Sequence, residues 1–249
     1  MIPFFRKIRK QLADNNKPIQ YLRYAIGEIV LVVIGILIAL QINNWNEHRK
    51  ELLNEKAVLS SLKEELNSTL QELKNDLKVQ NNYKQSTENV YSYIQNKPKL
   101  VDSMYKDFYS IAGLESTFPK TSVYKSLISG NIEIIKSDTL RKLITDIYET
   151  LYPRIISKVN IRLDAAGLIF PYYQKHFKSK MALDSITNRR SIRNIIGIPN
   201  DYEALINDPE FETLIIEAIK GRIVNDRFFS IGIQKVEECI TKIDTYLKP

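Results

Sequence analysis

The chain has 249 residues, of which 44% are hydrophobic and 26% charged, and its net charge is +7. That length allows one body of about 200 residues with a core of its own, beside a membrane segment. A single cysteine, Cys239, excludes a disulfide framework within the chain, and the basicity does not indicate nucleic acid because residues 1–23 alone carry +5 of it.

In chain order, residues 3–12 place Phe4, Phe5, Ile8 and Leu12 on one helical face, with Arg6, Lys7, Arg9 and Lys10 on the other. This is the pattern of a short amphipathic helix on a membrane surface, its four basic side chains toward anionic headgroups; a plain basic tail is the other reading. Pro18 interrupts the segment.

From Ala25 to Ile42 the sequence holds one charge, Glu28, and little other polarity. At a rise of about 1.5 Å per residue this run covers roughly 27 Å, the thickness of a hydrocarbon core. It is apolar on all faces, which predicts a transmembrane helix rather than an amphipathic core helix. It leads into Gln41-Ile42-Asn43-Asn44-Trp45 without a small-x-small cleavage site, as expected of an uncleaved anchor. Six basic residues precede it against Asp14 alone, so the amino end stays cytoplasmic and the rest crosses over. Tyr21, Tyr24 and Trp45 stand where interfacial aromatic anchors belong.

Two features within the run carry functional hypotheses. Gly35 and Ala39 form a small-xxx-small pair, with Gly27 two turns earlier, a face that permits close helix association. Glu28 has two readings: a carboxylate at the cytoplasmic boundary favoured by the helix N-terminus, or an ion-linked carboxylate within the membrane.

The opening FFRKIRK and the run YAIGEIVLVVIGILIALQINNWNE resemble an uncharacterised membrane-protein family of Bacteroidota genomes, a domain of unknown function. A looser likeness lies in YKSLISGNIEIIKSDTLRKLITDIYE, Tyr124 to Glu149. The resemblance implies a Gram-negative inner membrane and a helical body. It brings no activity and no catalytic residues.

Beyond Asn43 a long helix is expected to continue to Pro98. Leu52, Leu59, Leu62, Leu66, Leu70, Leu73 and Leu77 trace one apolar stripe along it. The stripe either packs on later helices of the same chain or forms a coiled-coil seam, although its register is not a clean heptad. Short helices are expected over 101–112 and 121–129. Ser137 should cap a long helix over about 138–178, with Leu140, Leu143, Ile144, Ile147, Leu151, Ile155, Val159 and Leu163 inward, a kink at Pro153, and a kink or end at Pro171. Residues 179–208 read as irregular. Asp208-Pro209 then starts a last helix to about 247, whose inner seam is Phe229, Gly232, Val236, Ile240, Ile243 and Leu247. The expected division is a basic head (1–23), an anchor (24–44) and an antiparallel helical bundle (45–249).

Catalytic patterns are sparse. His48 and His176 have no metal-type spacing, and there is no G-x-S-x-G, P-loop or dinucleotide-binding glycine pattern. Acidic clusters such as Lys63-Glu64-Glu65 and Glu237-Glu238 read as solvated helix faces. Arg189, Arg190 and Arg193 read as loop charge or as an anion contact, and Cys239 as a packed thiol. The expectation is a non-enzymatic envelope protein without cofactor or metal, binding membrane lipid and another envelope protein or its own copies. A ligand-binding periplasmic sensor module and a single-span subunit of an ion-driven motor are the alternatives.

Overall fold

The structure, a computed structural model, describes residues 18–113, 117–183 and 190–248. Residues 1–17 of the basic head lie outside these residues, as does Arg189, while residues 18–23 are helical. The chain divides into two units, one ending at Lys56 and the other beginning at Ala57. The described residues form seven α-helices and a single two-stranded sheet, so the all-α class holds.

Helix α1 runs from Pro18 to Asn96 without a break. It ends where Lys97 enters the left-handed region at φ 46°, its N–H donating to the Tyr93 carbonyl at 2.9 Å, and Pro98 then forbids another turn. Helices α2 (Met104–Ser110) and α3 (Ser122–Gly130) follow, then a 3-10 turn at Ile132–Ile134. Ser137 caps α4 (Asp138–Thr145), its hydroxyl accepting from the Leu140 N–H at 3.3 Å. The sequence predicts one helix here as far as residue 178. Instead a π-helical turn, Asp146–Leu151, separates α4 from α5 (Tyr152–His176). Pro153 has no N–H to continue an α ladder, so it stands in the first turn of α5, directly after the wider turn.

The expected irregular region is also ordered. Strand β1 (Phe177–Leu183) pairs antiparallel with β2 (Arg190–Pro199), and a short helix α6 (Tyr202–Ile206) follows. The β-branched run Ile192, Ile195, Ile196 and Ile198 favours a strand, and Gly197 admits it to the core. A Cβ at Gly197 would come within 2.4 Å of the Tyr173 hydroxyl and 3.0 Å of the Tyr109 amide nitrogen. Helix α7 (Pro209–Leu247) starts as expected, with the Asp208 carboxylate accepting from the Glu210 N–H at 2.9 Å.

Within the unit that begins at Ala57, α1 and α7 run antiparallel. Lys63–Asp244 (2.5 Å), Lys74–Glu237 (2.6 Å), Lys84–Asp226 (2.6 Å) and Gln95–Glu212 (2.7 Å) record the opposed register. From Leu59 to Leu77 the leucine stripe therefore packs within the chain, whereas Leu52, expected to begin it, is exposed. Leu59, Leu62, Leu66 and Leu73 are fully buried with Ile144, Tyr152, Phe229, Val236 and Ile243 in a first core. Burial of each such side chain contributes about 1.5–3 kcal/mol. A second core is richer in aromatics: Phe108 meets Tyr93, Phe177 and Tyr202 at ring distances of 5.9, 5.6 and 6.3 Å.

Between the two cores α1 and α7 face each other with polar residues. Gln80 and Thr87 on α1 and Arg222 and Asn225 on α7 are buried. Lys84 meets Asp226 here, and that carboxylate raises the lysine ammonium above its ordinary pKa. The Arg222 guanidinium lies 5.4 Å from the Tyr83 ring centroid. Its Nη2 donates to the carbonyls of Ser110 (3.3 Å), Ile111 (3.0 Å) and Gly113 (3.4 Å), placing a cation where α2 ends.

Candidate functional site

The first candidate is the apolar stretch of α1. The best window within Ala25–Asn96 has a mean hydropathy of 2.6, and none of that window is buried. Every residue from Ile29 to Trp45 is exposed. A helix apolar all round and covered by nothing is one that can cross a membrane, and a signal sequence has the same character. Gly27, Gly35 and Ala39 are exposed, and a Cβ at either glycine would meet nothing within 4 Å. Glu28 is half-buried on this stretch. Beyond it the Arg49 guanidinium lies 5.8 Å from the Trp45 ring, and Lys50 pairs with Glu47 at 3.0 Å.

The second candidate is a polar seam on the other part of α1, and sequence reasoning missed it. Glu65, Thr69, Glu72 and Asp76 recur at spacings of 4, 3 and 4, which lines them along one helical face. Residues 117–124 run along that face in the opposite direction. The Thr117 hydroxyl donates to Asp76 (2.7 Å), the Phe118 N–H to Glu72 (3.0 Å) and the Lys120 N–H to Thr69 (3.1 Å). Glu65 then receives the Ser122 hydroxyl (2.9 Å), the Val123 N–H (2.7 Å) and the Tyr124 N–H (3.4 Å), so a carboxylate of α1 caps α3. Pro119 stands between two bonded amides, where a missing donor costs nothing.

Glu65 is buried, so the solvated-face reading of Lys63-Glu64-Glu65 is corrected at that residue; Glu64 is exposed as expected. The Tyr148 hydroxyl supplies a fourth bond to Glu65 at 2.8 Å. Tyr148 stacks on Tyr124 at 4.3 Å and meets Tyr152 edge-on at 5.1 Å. Burial pushes the Tyr148 and Tyr152 phenols above their ordinary range. Burial also raises the Asp76 carboxyl, against the Thr117 hydrogen bond. The one visible signal was Tyr124–Glu149, the looser likeness, which here converges on Glu65 from both ends. The Glu65 clamp is an acceptor with its donors already in place, a device for fixing a strap.

The remaining sequence candidates do not assemble. Arg190 and Arg193 lie on β2, and their side chains are outside the description. Arg6, Lys7, Arg9 and Lys10 lie outside the described residues. His176 stacks on Tyr172 at 4.1 Å, far along the chain from His48. Among the described residues no three His, Cys, Asp or Glu side chains come together to hold a metal. Cys239 is fully buried, and burial lifts its thiol to about 12, so it is a packed side chain and not a nucleophile.

Among the described residues these features define a helical protein with one helix long and apolar enough to span a membrane and a body of two cores. Residues 28–181, more than half of the chain, match a family of unknown function, DUF6090, and the chain belongs to that family. The matched segment holds the apolar helix from Glu28 onward, the strap and the Glu65 clamp. No curated protein matches the chain, and no solved structure does.

Proposed function

We propose that this chain is a non-enzymatic interaction protein held in the inner membrane of a Gram-negative cell by one helix. Its basic amino end stays in the cytoplasm and its helical body stands in the periplasm, where it contacts another envelope protein or further copies of itself. The carrying observation is the uncovered apolar helix surface from Ile29 to Trp45. In water that surface would be costly, and lipid is the solvent that suits it on every side. The six basic residues of 1–23 support the orientation. The absence of a cleavage-type sequence before Trp45 supports a retained anchor. The Bacteroidota assignment rests on the resemblance of the anchor sequence. The inert Cys239 and the fully engaged Glu65 support a body built for shape rather than chemistry.

The test has two parts. A reporter fused after Pro249 should be active only on the periplasmic side; cytoplasmic activity overturns the topology. The chain, extracted from native membranes in mild detergent, should then migrate in a defined complex with a partner or as an oligomer. A monomer without partners would remove the interaction reading.

A second reading uses Glu28, the half-buried carboxylate of an otherwise exposed stretch, in an ion-coupled complex. It predicts that the native complex contains a multi-span protein and that Glu28→Gln abolishes function without changing assembly.

A further inference from the structure

The β1–β2 hairpin has one strand covered and one open. Strand β2 packs on α2, and Gly197 sits against the backbone of Phe108 and Tyr109. Strand β1 lies outside it, and Lys178, Ser179, Lys180, Met181 and Leu183 are all exposed. The pairing fixes which backbone groups are free. The His176 carbonyl accepts from the Asn200 N–H at 2.8 Å, and Lys178 pairs with Ile198 and Lys180 with Ile196. Antiparallel ladders alternate, so His176, Lys178 and Lys180 bond inward while Ser179 and Met181 turn their N–H and C=O outward. Pro199, which has no N–H, stands opposite Phe177 at an outward-turned position, in agreement with this alternation.

An open edge of this kind is a template for another strand. Its side chains say which strand. Lys178 and Lys180 project from one face, both exposed and without an ion pair among the described residues. Met181, 44% exposed, offers apolar surface on the other, and the exposed Leu183 follows a register shift at the end of the strand. A second copy of β1 is a poor fit: antiparallel self-pairing centred on Ser179 sets Lys178 directly opposite Lys180, twice. An extended segment with acidic residues at alternate positions and apolar residues between them fits both faces.

We propose that the outer edge of β1 is a docking site for an acidic, extended segment of a partner protein, which adds to the hairpin as a third strand. This deepens the interaction reading and rests on it.

The test uses the full chain in detergent micelles and a fluorescent peptide of alternating Glu and Val, matched to the seven residues of β1. Fluorescence anisotropy should show saturable binding at low salt that weakens as salt rises. Ser179→Pro removes an outward N–H and leaves the β1–β2 ladder intact but loses the Ser179–Tyr173 hydroxyl bond (3.3 Å), so it should weaken binding about ten-fold with at most a small fall in melting temperature, which Ser179→Ala reproduces without loss of binding. Should that variant unfold, the same peptide N-methylated at alternate residues makes the measurement on the unaltered protein, with the same loss expected. Lys178→Glu combined with Lys180→Glu should reject the Glu–Val peptide and accept a Lys–Val one.

No saturable binding by the folded wild-type chain overturns the proposal. So does binding that is indifferent to both Ser179→Pro and N-methylation, since plain charge attraction would then suffice. A native complex that survives Ser179→Pro also overturns strand addition while leaving the interaction reading in place. Absence of any native complex is the separate failure of that reading.

Discussion

Helix α1 contains two stretches of opposite design. Between Ile29 and Trp45 it is apolar on every face and buries none of them. Between Leu59 and Leu73 it is apolar along one stripe and buries that stripe fully, with Glu65, Thr69 and Asp76 buried beside it. Both stretches carry several leucines, which are the only large aliphatic residues of the second, so the presence of leucine does not separate them. Pattern does: the first suits a medium that is apolar all round, the second a medium that is apolar on one side. The same comparison explains the acidic residues. The carboxylates beside the stripe can be buried because a strap of the same chain delivers donors to them.

The comparison breaks most sharply at Glu65. Glu65→Ala leaves two amides and two hydroxyls without their acceptor and should cost about 4 kcal/mol of body stability, read by urea unfolding of the detergent-solubilised chain. A loss under about 1 kcal/mol would show that water replaces the carboxylate and that the clamp is dispensable. Next, Leu62→Ala should cost about 3 kcal/mol by leaving a cavity, whereas Leu37→Ala should leave unfolding of the body unchanged. Equal losses at both sites would end the distinction between the two stretches.

Smaller effects sharpen the contrast at the helix ends. Asp208→Ala removes the cap of α7 and should cost about 1 kcal/mol. The Tyr172 hydroxyl, with further help from the Glu210 amide and from His176, holds the Asp208 carboxyl below its usual range. Its contribution is therefore present above the unfolded carboxyl pKa and is lost as pH falls through the folded one, a slope that Asp208→Asn should flatten. Asp76 has the opposite sign, because burial raises it: its contribution is present at low pH and lost as pH rises through the folded value. Asp76→Asn should therefore raise the melting temperature at neutral pH. The smallest change is at Lys97, left-handed at φ 46°, where glycine relieves the steric cost. Lys97→Gly should stabilise by about 0.5–1 kcal/mol, less whatever the Lys97–Asn207 hydrogen bond contributes.

Local chemistry made much of the architecture readable. A proline has no N–H wherever it stands, so Pro98 closed α1 and Asp208-Pro209 opened α7 without reference to the rest of the chain. Periodicity likewise identified the stripe from Leu59 to Leu73 and the seam from Phe229 to Ile243. The hairpin was hidden because its two strands are basic and pairing is non-local: β1 is a strand only because β2 returns beside it. The π-helical turn before Pro153 belongs to the same class, since a missing donor can be absorbed by a kink or by a wider turn.

What the sequence determined by itself is the set of properties that depend on near neighbours: helix ends, faces, and an apolar run with a charge step before it. What only the tertiary structure decided is where polar groups find partners. Glu65 reads as solvated because its donors lie about 57 to 83 residues away, and Arg222 finds its carbonyl acceptors more than 100 residues away. A buried charge is tolerable only when such partners are assembled around it, and no local pattern records that assembly.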